Sequence, residues 1–291
     1  MNKVGIYYAY WTRTWDADFL EFVPRVKRLG FDILEVNSGA IARMSSEDRA
    51  TLRAAAQDAG IELTYCIGLT REYDLAAEDE AVRNHGIDFL KRQADAISSM
   101  GGRILGGIIY SSWPGRMPEG VTDKRPYLDR SIASMIKAVK AAEDNGVLFN
   151  VEVVNRFEQY LLNTAQEAVA YVERVGSPNC KILLDTFHIN IEEESFAGAI
   201  RTAGGHLGHV HLGEPNRRPP GRGRLPWDEF FGALWEIGYT GAMTMEPFVT
   251  PGGEVGRDIS IYRDLSEGLD LDDEAARAAR FVKGKLAGVW A

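Results

Sequence analysis

The sequence predicts an α/β protein, a single (β/α)8 barrel spanning residues 1–291, and three observations carry that expectation. Short β-rich runs alternate with stretches of helical spacing eight times along the chain. Glycines close most of the helical stretches, as C′ glycines do. In the second half, four successive strand-like runs end in a potential ligand: Glu152, Asp185, His211 and Glu246. In a barrel of this kind the working groups project from the C-terminal ends of the strands.

At 291 residues the chain is longer than an average domain, but one α/β barrel accounts for it. A hydrophobic content of 45% supplies a large core. The net charge of −9 argues against nucleic acid or an anionic membrane as the main partner. With no apolar run of roughly 18 residues and no N-terminal leader pattern, a soluble cytoplasmic protein is expected. Cys66 ends one strand and Cys180 begins another, so a parallel barrel places them at opposite ends, beyond disulfide reach.

Taken in order, Val4–Tyr8 is strand one, and Phe19–Leu29 is a helix stopped by Gly30. Phe31–Val36 is strand two; Ser45-Ser46-Glu47-Asp48 caps an Ala-rich helix that runs to Ala59 and stops at Gly60. Ile61–Cys66 is strand three, Glu78–Met100 a helix, and Arg103–Ile109 strand four, followed by a long loop through Trp113. Tyr127–Asn145 is helical and ends at Gly146, which opens onto Val147–Val151 and then Glu152. Thr164–Val175 is the next helix. Lys181–Asp185, His206–Leu212 and Ala242–Glu246 are strands six to eight, with a helix over Trp227–Ile237 before the last. The C-terminal stretch is a final covering helix.

Along strand five, Asn150, Glu152 and Val154 share one face, because side chains alternate along a strand. A carboxylate on the inner face needs a partner, since burying an unpaired charge is costly. Any one of the four strand-end residues could be an ordinary satisfied polar group; four at successive strand ends point to a metal. Three carboxylates and one imidazole suit a divalent ion of the Mn2+, Mg2+ or Co2+ type better than a structural zinc. His209 shares the inner face with His211 one layer deeper and is read as core or as support. Glu35, which ends strand two, is read as structural and distant from the other four around the ring. His85 and His206 receive no role.

These motifs resemble the ketose 3-epimerases of the D-tagatose/D-psicose (D-allulose) group, within the xylose-isomerase-like TIM barrels. The likeness is carried by Glu152-Val-Val-Asn-Arg-Phe-Glu158, Leu184-Asp-Thr-Phe-His-Ile-Asn-Ile-Glu-Glu193 and Gly208-His-Val-His-Leu-Gly-Glu214. Gly223-Arg-Leu-Pro-Trp227 and Met245-Glu-Pro-Phe248 extend it, with Gly5-Ile-Tyr-Tyr and Gly30-Phe-Asp near the start. The resemblance implies a divalent metal, Mn2+ first with Co2+ and Mg2+ as alternatives, held by Glu152, Asp185, His211 and Glu246. It implies substrate contacts at Glu158, His188 and Arg217, and pocket walls at Tyr7, Trp15, Cys66, Ile108, Trp113 and Phe248. It further implies a free ketose as substrate (D-tagatose/D-sorbose, D-fructose/D-psicose, ribulose/xylulose) and a homo-oligomer, dimer or tetramer.

The chemistry of the residues agrees with that implication. Inverting C3 of a ketose means removing a weakly acidic proton beside a carbonyl and returning one to the opposite face of a planar cis-enediolate. Two glutamates facing each other, Glu152 and Glu246, can serve as base and acid, and a cation can stabilise the charge that develops. Aldose–ketose isomerisation is the alternative enzyme reading, and a non-catalytic sugar-binding protein the alternative of another class. A metal-dependent nuclease is disfavoured by the acidic balance and the lack of a basic stripe. Arg217, Arg218, Arg222 and Arg224 allow a phosphate clamp, ranked below the free-sugar reading because no Gly-rich anion loop leads into a helix there.

Overall fold

The computed structural model describes residues 2–290. Eight parallel strands close into a barrel in sequence order. They are β1 (Val4–Tyr7), β2 (Ile33–Asn37), β3 (Glu62–Cys66), β4 (Ile104–Gly107), β5 (Leu148–Val153), β6 (Cys180–Asp185), β7 (Leu207–Leu212) and β8 (Met243–Met245). Closure is made by β1 against β8, with Gly5 opposite Thr244 and Ile6 opposite Met245.

The helices that cover the barrel are α1 (Phe22–Arg28), α2 (Ser38–Arg43), α3 (Ser46–Ala59), α4 (Glu80–Ser99), α5 (Arg125–Asn145) and α6 (Ala165–Val175). They continue with α7 (Thr186–Glu192), α8 (Phe196–Ala203), α9 (Trp227–Glu236), α10 (Gly253–Asp258) and α11 (Leu271–Trp290). The expected cap of α3 is in place, with Ser45 Oγ accepting from the Asp48 N–H at 3.1 Å, and Thr164 Oγ1 caps α6 in the same way by accepting from the Glu167 N–H at 3.2 Å. Gly60 and Gly146 end their helices in the left-handed region, at φ 66° and 64°. The covering helix α11 buries Ala275, Ala278, Ala279, Val282 and Leu286. Cys66 and Cys180 are both free and buried.

Four short helices go beyond those expected: α2, α7, α8 and α10. α2 and α7 start directly at strand ends, capped by Asn37 and Asp185, whose side chains accept from Ala40 N–H and Phe187 N–H. Strand eight is shorter than expected, so Glu246 stands one residue past it, tied by its N–H to Leu212 O at 2.9 Å.

One irregularity sets the faces of the second half. Ile182 pairs with Leu207 but the next residue, Leu183, pairs with His209, leaving Gly208 as an extra residue in β7. After that bulge Asp185 faces His211, and both imidazoles of β7 point inward. A slip of one residue would turn them to the helix side, because the side-chain period of a strand is two. Only glycine fits there: a Cβ at position 208 would lie 2.1 Å from Asn150 Oδ1 and 2.6 Å from Lys181 Cβ. At Gly232, in α9, an added Cβ meets nothing within 4 Å. Gly208→Ala is therefore expected to cost about 1–3 kcal/mol of stability through overpacking. Gly232→Ala, by contrast, should gain roughly 0.5–1 kcal/mol. Urea unfolding of the two variants checks the contrast, and equal midpoints would refute it.

Candidate metal centre and active site

Glu152, Asp185, His211 and Glu246 converge at the C-terminal mouth of the barrel. Each offers one ligand atom, these atoms lie within 4.8 Å of one another, and all four residues are buried. His211 Nδ1 is 3.7 Å from Glu152 Oε1 and 3.6 Å from Glu246 Oε2, so both glutamates approach the same imidazole nitrogen. That nitrogen has no hydrogen-bond partner. Asp185 spends Oδ1 on the Phe187 N–H, capping α7 at 2.9 Å. Its Oδ2 faces Arg217 Nη1 at 3.1 Å.

The chain folds Arg217 into this site by local strain. It sits at φ +62° in the loop after β7, its N–H bonded to Glu214 O at 2.9 Å and its O receiving Phe248 N–H at 2.8 Å. The guanidinium donates to Asp185 and to Glu246 Oε2 (3.3 Å), reaches Glu158 Oε1 at 3.5 Å, and lies 3.8 Å above the Phe187 ring. Burial opposes its charge, but the carboxylates of Glu158, Asp185 and Glu246 outweigh burial and hold it protonated. The neighbouring arginines do not converge on a clamp: Arg218 pairs with Glu267 and Arg222 with Glu274.

His188 stands on the first turns of α7, almost fully buried. Its Nδ1 accepts the Asn155 backbone N–H at 3.2 Å, which puts the ring proton on Nε2. Nε2 points to Glu152 Oε1 and Asp185 Oδ2, each at 3.8 Å. Burial is the main cause that lowers its pKa, so the ring is neutral and a donor. Glu158 accepts from Trp113 Nε1 at 3.0 Å and from Asn155 Nδ2 at 3.1 Å. Burial raises its pKa, but His188, Arg217 and these donors overcome that and keep it ionised.

Glu152 has no such compensation. Burial, reinforced by the charges of Glu246 and Asp185, outweighs His211 and pushes its carboxyl up to about 7. His211 moves the other way: burial disfavours its charge, yet Glu35 and Glu246 raise its pKa well above the ordinary range. Surplus buried carboxylate, an orphaned imidazole nitrogen and an O3N donor set are what a divalent cation would satisfy, so the residues fit the metal that the sequence implied.

All nine residues expected to contact substrate line one cavity of about 1020 Å3: Tyr7, Trp15, Cys66, Ile108, Trp113, Glu158, His188, Arg217 and Phe248. Glu152 and Glu246 line it too. His209 lies deeper, as expected. The expectation for Glu35 is overturned in one respect. It is not far from the others, because its Oε1 is 2.7 Å from His211 Nε2. Strands distant around a ring still meet across its narrow axis. The sequence reading also passed over Asn155 and Phe187, although both lie inside quoted motifs. An Asn three residues before Glu158 was the available signal for the first; stacking under Arg217 left none for the second.

A parallel eight-stranded barrel with a buried acidic and imidazole cluster at its mouth defines a class, and residues 23–279 match the family model described as xylose isomerase-like TIM barrel. The chain belongs to that family. Among its relatives, D-psicose 3-epimerase of Agrobacterium fabrum is 46% identical over 98% of this chain and 100% of its own length. Ketose 3-epimerase of Arthrobacter globiformis is 32% identical over 99% and 98%. The crystal structure of D-psicose 3-epimerase with D-tagatose from Clostridium cellulolyticum H10 superposes with a TM-score of 0.95, at 45% identity, covering 98% of this chain and 99% of the other. Within the family, then, the chain is an isomerase of the ketose 3-epimerase group.

The uncompensated Glu152 has a measurable consequence in metal-free protein. An acid whose pKa rises from 4.5 unfolded to about 7 folded favours the fold while protonated. That contribution is complete below pH 4.5 and is lost as pH climbs through about 7. The loss is at most about 3 kcal/mol, taking 1.36 kcal/mol per unit. Urea titrations in EDTA at pH 5 and pH 8 should show wild type weakening more than Glu152→Gln; parallel behaviour would count against the assignment.

Proposed function

We propose that C3 epimerisation of free ketoses is carried out here by Glu152 and Glu246 as paired acid and base. The observation that carries this reading is their approach to one atom, His211 Nδ1, at 3.7 and 3.6 Å, inside the cavity shared with Glu158, His188 and Arg217. Glu152, Asp185, His211 and Glu246 would hold a divalent cation, which would supply Lewis acidity to stabilise the charge that develops on the sugar. Mn2+ suits this donor set best, with Co2+ and Mg2+ as alternatives.

The chain's own groups do the rest. One glutamate takes the C3 proton, leaving a planar enediolate; the other returns a proton to the opposite face. His188 Nε2–H and the Arg217 guanidinium are donors for the oxygens at C1 and C2, and Glu158 is an acceptor beside them. The wall residues Trp15, Cys66, Ile108, Trp113 and Phe248 are apolar or weakly polar and offer few directional bonds, while polar groups such as Asn37, Arg43, Gln93, Arg116 and Arg257 also line the same large cavity. Ketohexoses that differ from C4 outward, such as D-fructose/D-psicose and D-tagatose/D-sorbose, are therefore the substrate class. The homo-oligomeric state implied by the resemblance and the cytoplasmic location expected from the sequence belong to the same proposal.

In heavy water the product epimer should carry deuterium at C3, since the returned proton comes from a carboxylate that exchanges with solvent. Single Glu152→Gln and Glu246→Gln variants should each lose epimerisation by at least the roughly 10²-fold that acid–base catalysis contributes, with metal content checked first because glutamine is a poorer ligand. Retention of the original hydrogen at C3, or near-normal turnover by either metal-loaded variant, would sink the two-base mechanism. Aldose product carrying deuterium at C2 would favour the isomerase reading, and tight binding without turnover the sugar-binding one.

Chelation should abolish activity and Mn2+ or Co2+ restore it. Because Glu152 is half protonated near pH 7 and His211 is held protonated, cation binding at pH 6 must release protons from both. Calorimetry in buffers of different ionisation enthalpy should count between one and two protons released per Mn2+, and affinity should fall roughly tenfold or more per pH unit below 7. Proton-independent binding would contradict the ligand set.

A further inference from the structure

We propose that Glu35 is a positioning residue, which holds His211 with Nδ1 turned toward Glu152, Asp185 and Glu246. The inference rests on the metal centre proposed above. Glu35 comes from β2, separated from β7 around the ring by β1 and β8, and is fully buried. Its Oε2 accepts from Thr64 Oγ1 at 2.7 Å and meets His209 Nε2 at 2.7 Å. Its Oε1 meets only His211 Nε2, at 2.7 Å. That last contact lacks the in-line angle of a hydrogen bond, and Oε1 and both His211 nitrogens have no other partner. It is a charge contact along the barrel axis, anchored at its far end by Thr64 and His209.

The three groups facing Glu35 are all donors or can be, which calls for an ionised carboxylate. A proton on His211 Nε2 satisfies Oε1 and leaves the Nδ1 lone pair free for a cation; metal-bound histidines commonly donate their other nitrogen to a carboxylate in this way. Cys66 also brings a potential ligand atom within 4.8 Å of Glu35 and His211. A second cation between them is the poorer reading. Ligand atoms on a tetrahedral ion with bonds of about 2.0–2.1 Å stand about 3.3 Å apart, further than the short nitrogen–oxygen contact.

Glu35→Gln separates positioning from mere packing, because it keeps shape and removes an acceptor. Two donors converge on Oε2, so the amide oxygen should take that place and the NH2 should face His211 Nε2. His211 must then accept through Nε2 and carry its proton on Nδ1, where it blocks the cation. The expected result is a variant that folds, whose affinity for Mn2+ alone, followed by the EPR signal of free Mn2+, is 10–100-fold weaker. A structural role would instead lower the melting temperature and leave the Mn2+ affinity of folded protein unchanged. Equal Mn2+ affinity of wild type and folded variant overturns this inference alone; absence of Mn2+ binding by wild type overturns the metal centre and this inference together. If the variant does not fold, imidazole ¹⁵N spectra of Mg2+-loaded wild type decide the matter: a proton on His211 Nε2 supports the assignment, and one on Nδ1 overturns it.

Discussion

Like charge buried at the mouth of a narrow barrel is the constraint around which this molecule is arranged. Glu35, Glu152, Asp185 and Glu246 are all buried, and Glu158 stands beside them. Ionised carboxylates cannot be withdrawn from water without a cation or several donors. Most of the local architecture around them supplies one or the other. Glu35 takes Thr64 and His209; Asp185 takes the first N–H of α7 and Arg217; Glu246 shares Arg217; Glu158 takes Trp113 and Asn155. Glu152 is left with imidazoles at 3.7 and 3.8 Å, and it is the carboxyl whose pKa rises to about 7. The residue least served by the protein is also one of the two that the proposed chemistry needs to gain and lose a proton.

The supports are rigid because they come from backbone. The register of β6 against β7 passes through the Gly208 bulge, and without it Asp185 and His211 would not share a face. The cap that Asp185 places on α7 brings His188 over the same carboxylates. Arg217, at positive φ, is pinned through its own N–H and carbonyl to Glu214 and Phe248. Holding a non-glycine residue there costs of order 1–3 kcal/mol, which the ion pairs and the stacking on Phe187 offset. Groups fixed in this way need little reorganisation when charge develops on a bound sugar, which is where preorganised sites derive their advantage.

Much of this was legible in the chain alone. Period-two and helical patterns with closing glycines announced eight strands and their helices, because those signals are local. Glu152, Asp185, His211 and Glu246 were legible for the same reason: each is a polar residue where an apolar run stops. Their nine companions in the cavity came through motifs resembling a family, and each of them lines it.

What the tertiary structure decided is everything that depends on distance across the barrel. Glu35 looked remote because sequence order counts strands around the ring, whereas the axis brings its carboxylate to 2.7 Å from both β7 imidazoles. The same holds for Phe187 beneath Arg217, for the pairing of Arg218 and Arg222 with Glu267 and Glu274, and for the Gly208 bulge that sets which way the imidazoles face. Local pattern determines what each segment becomes. Which side chains share one buried volume, and hence which charges must answer one another, is settled only when the strands close.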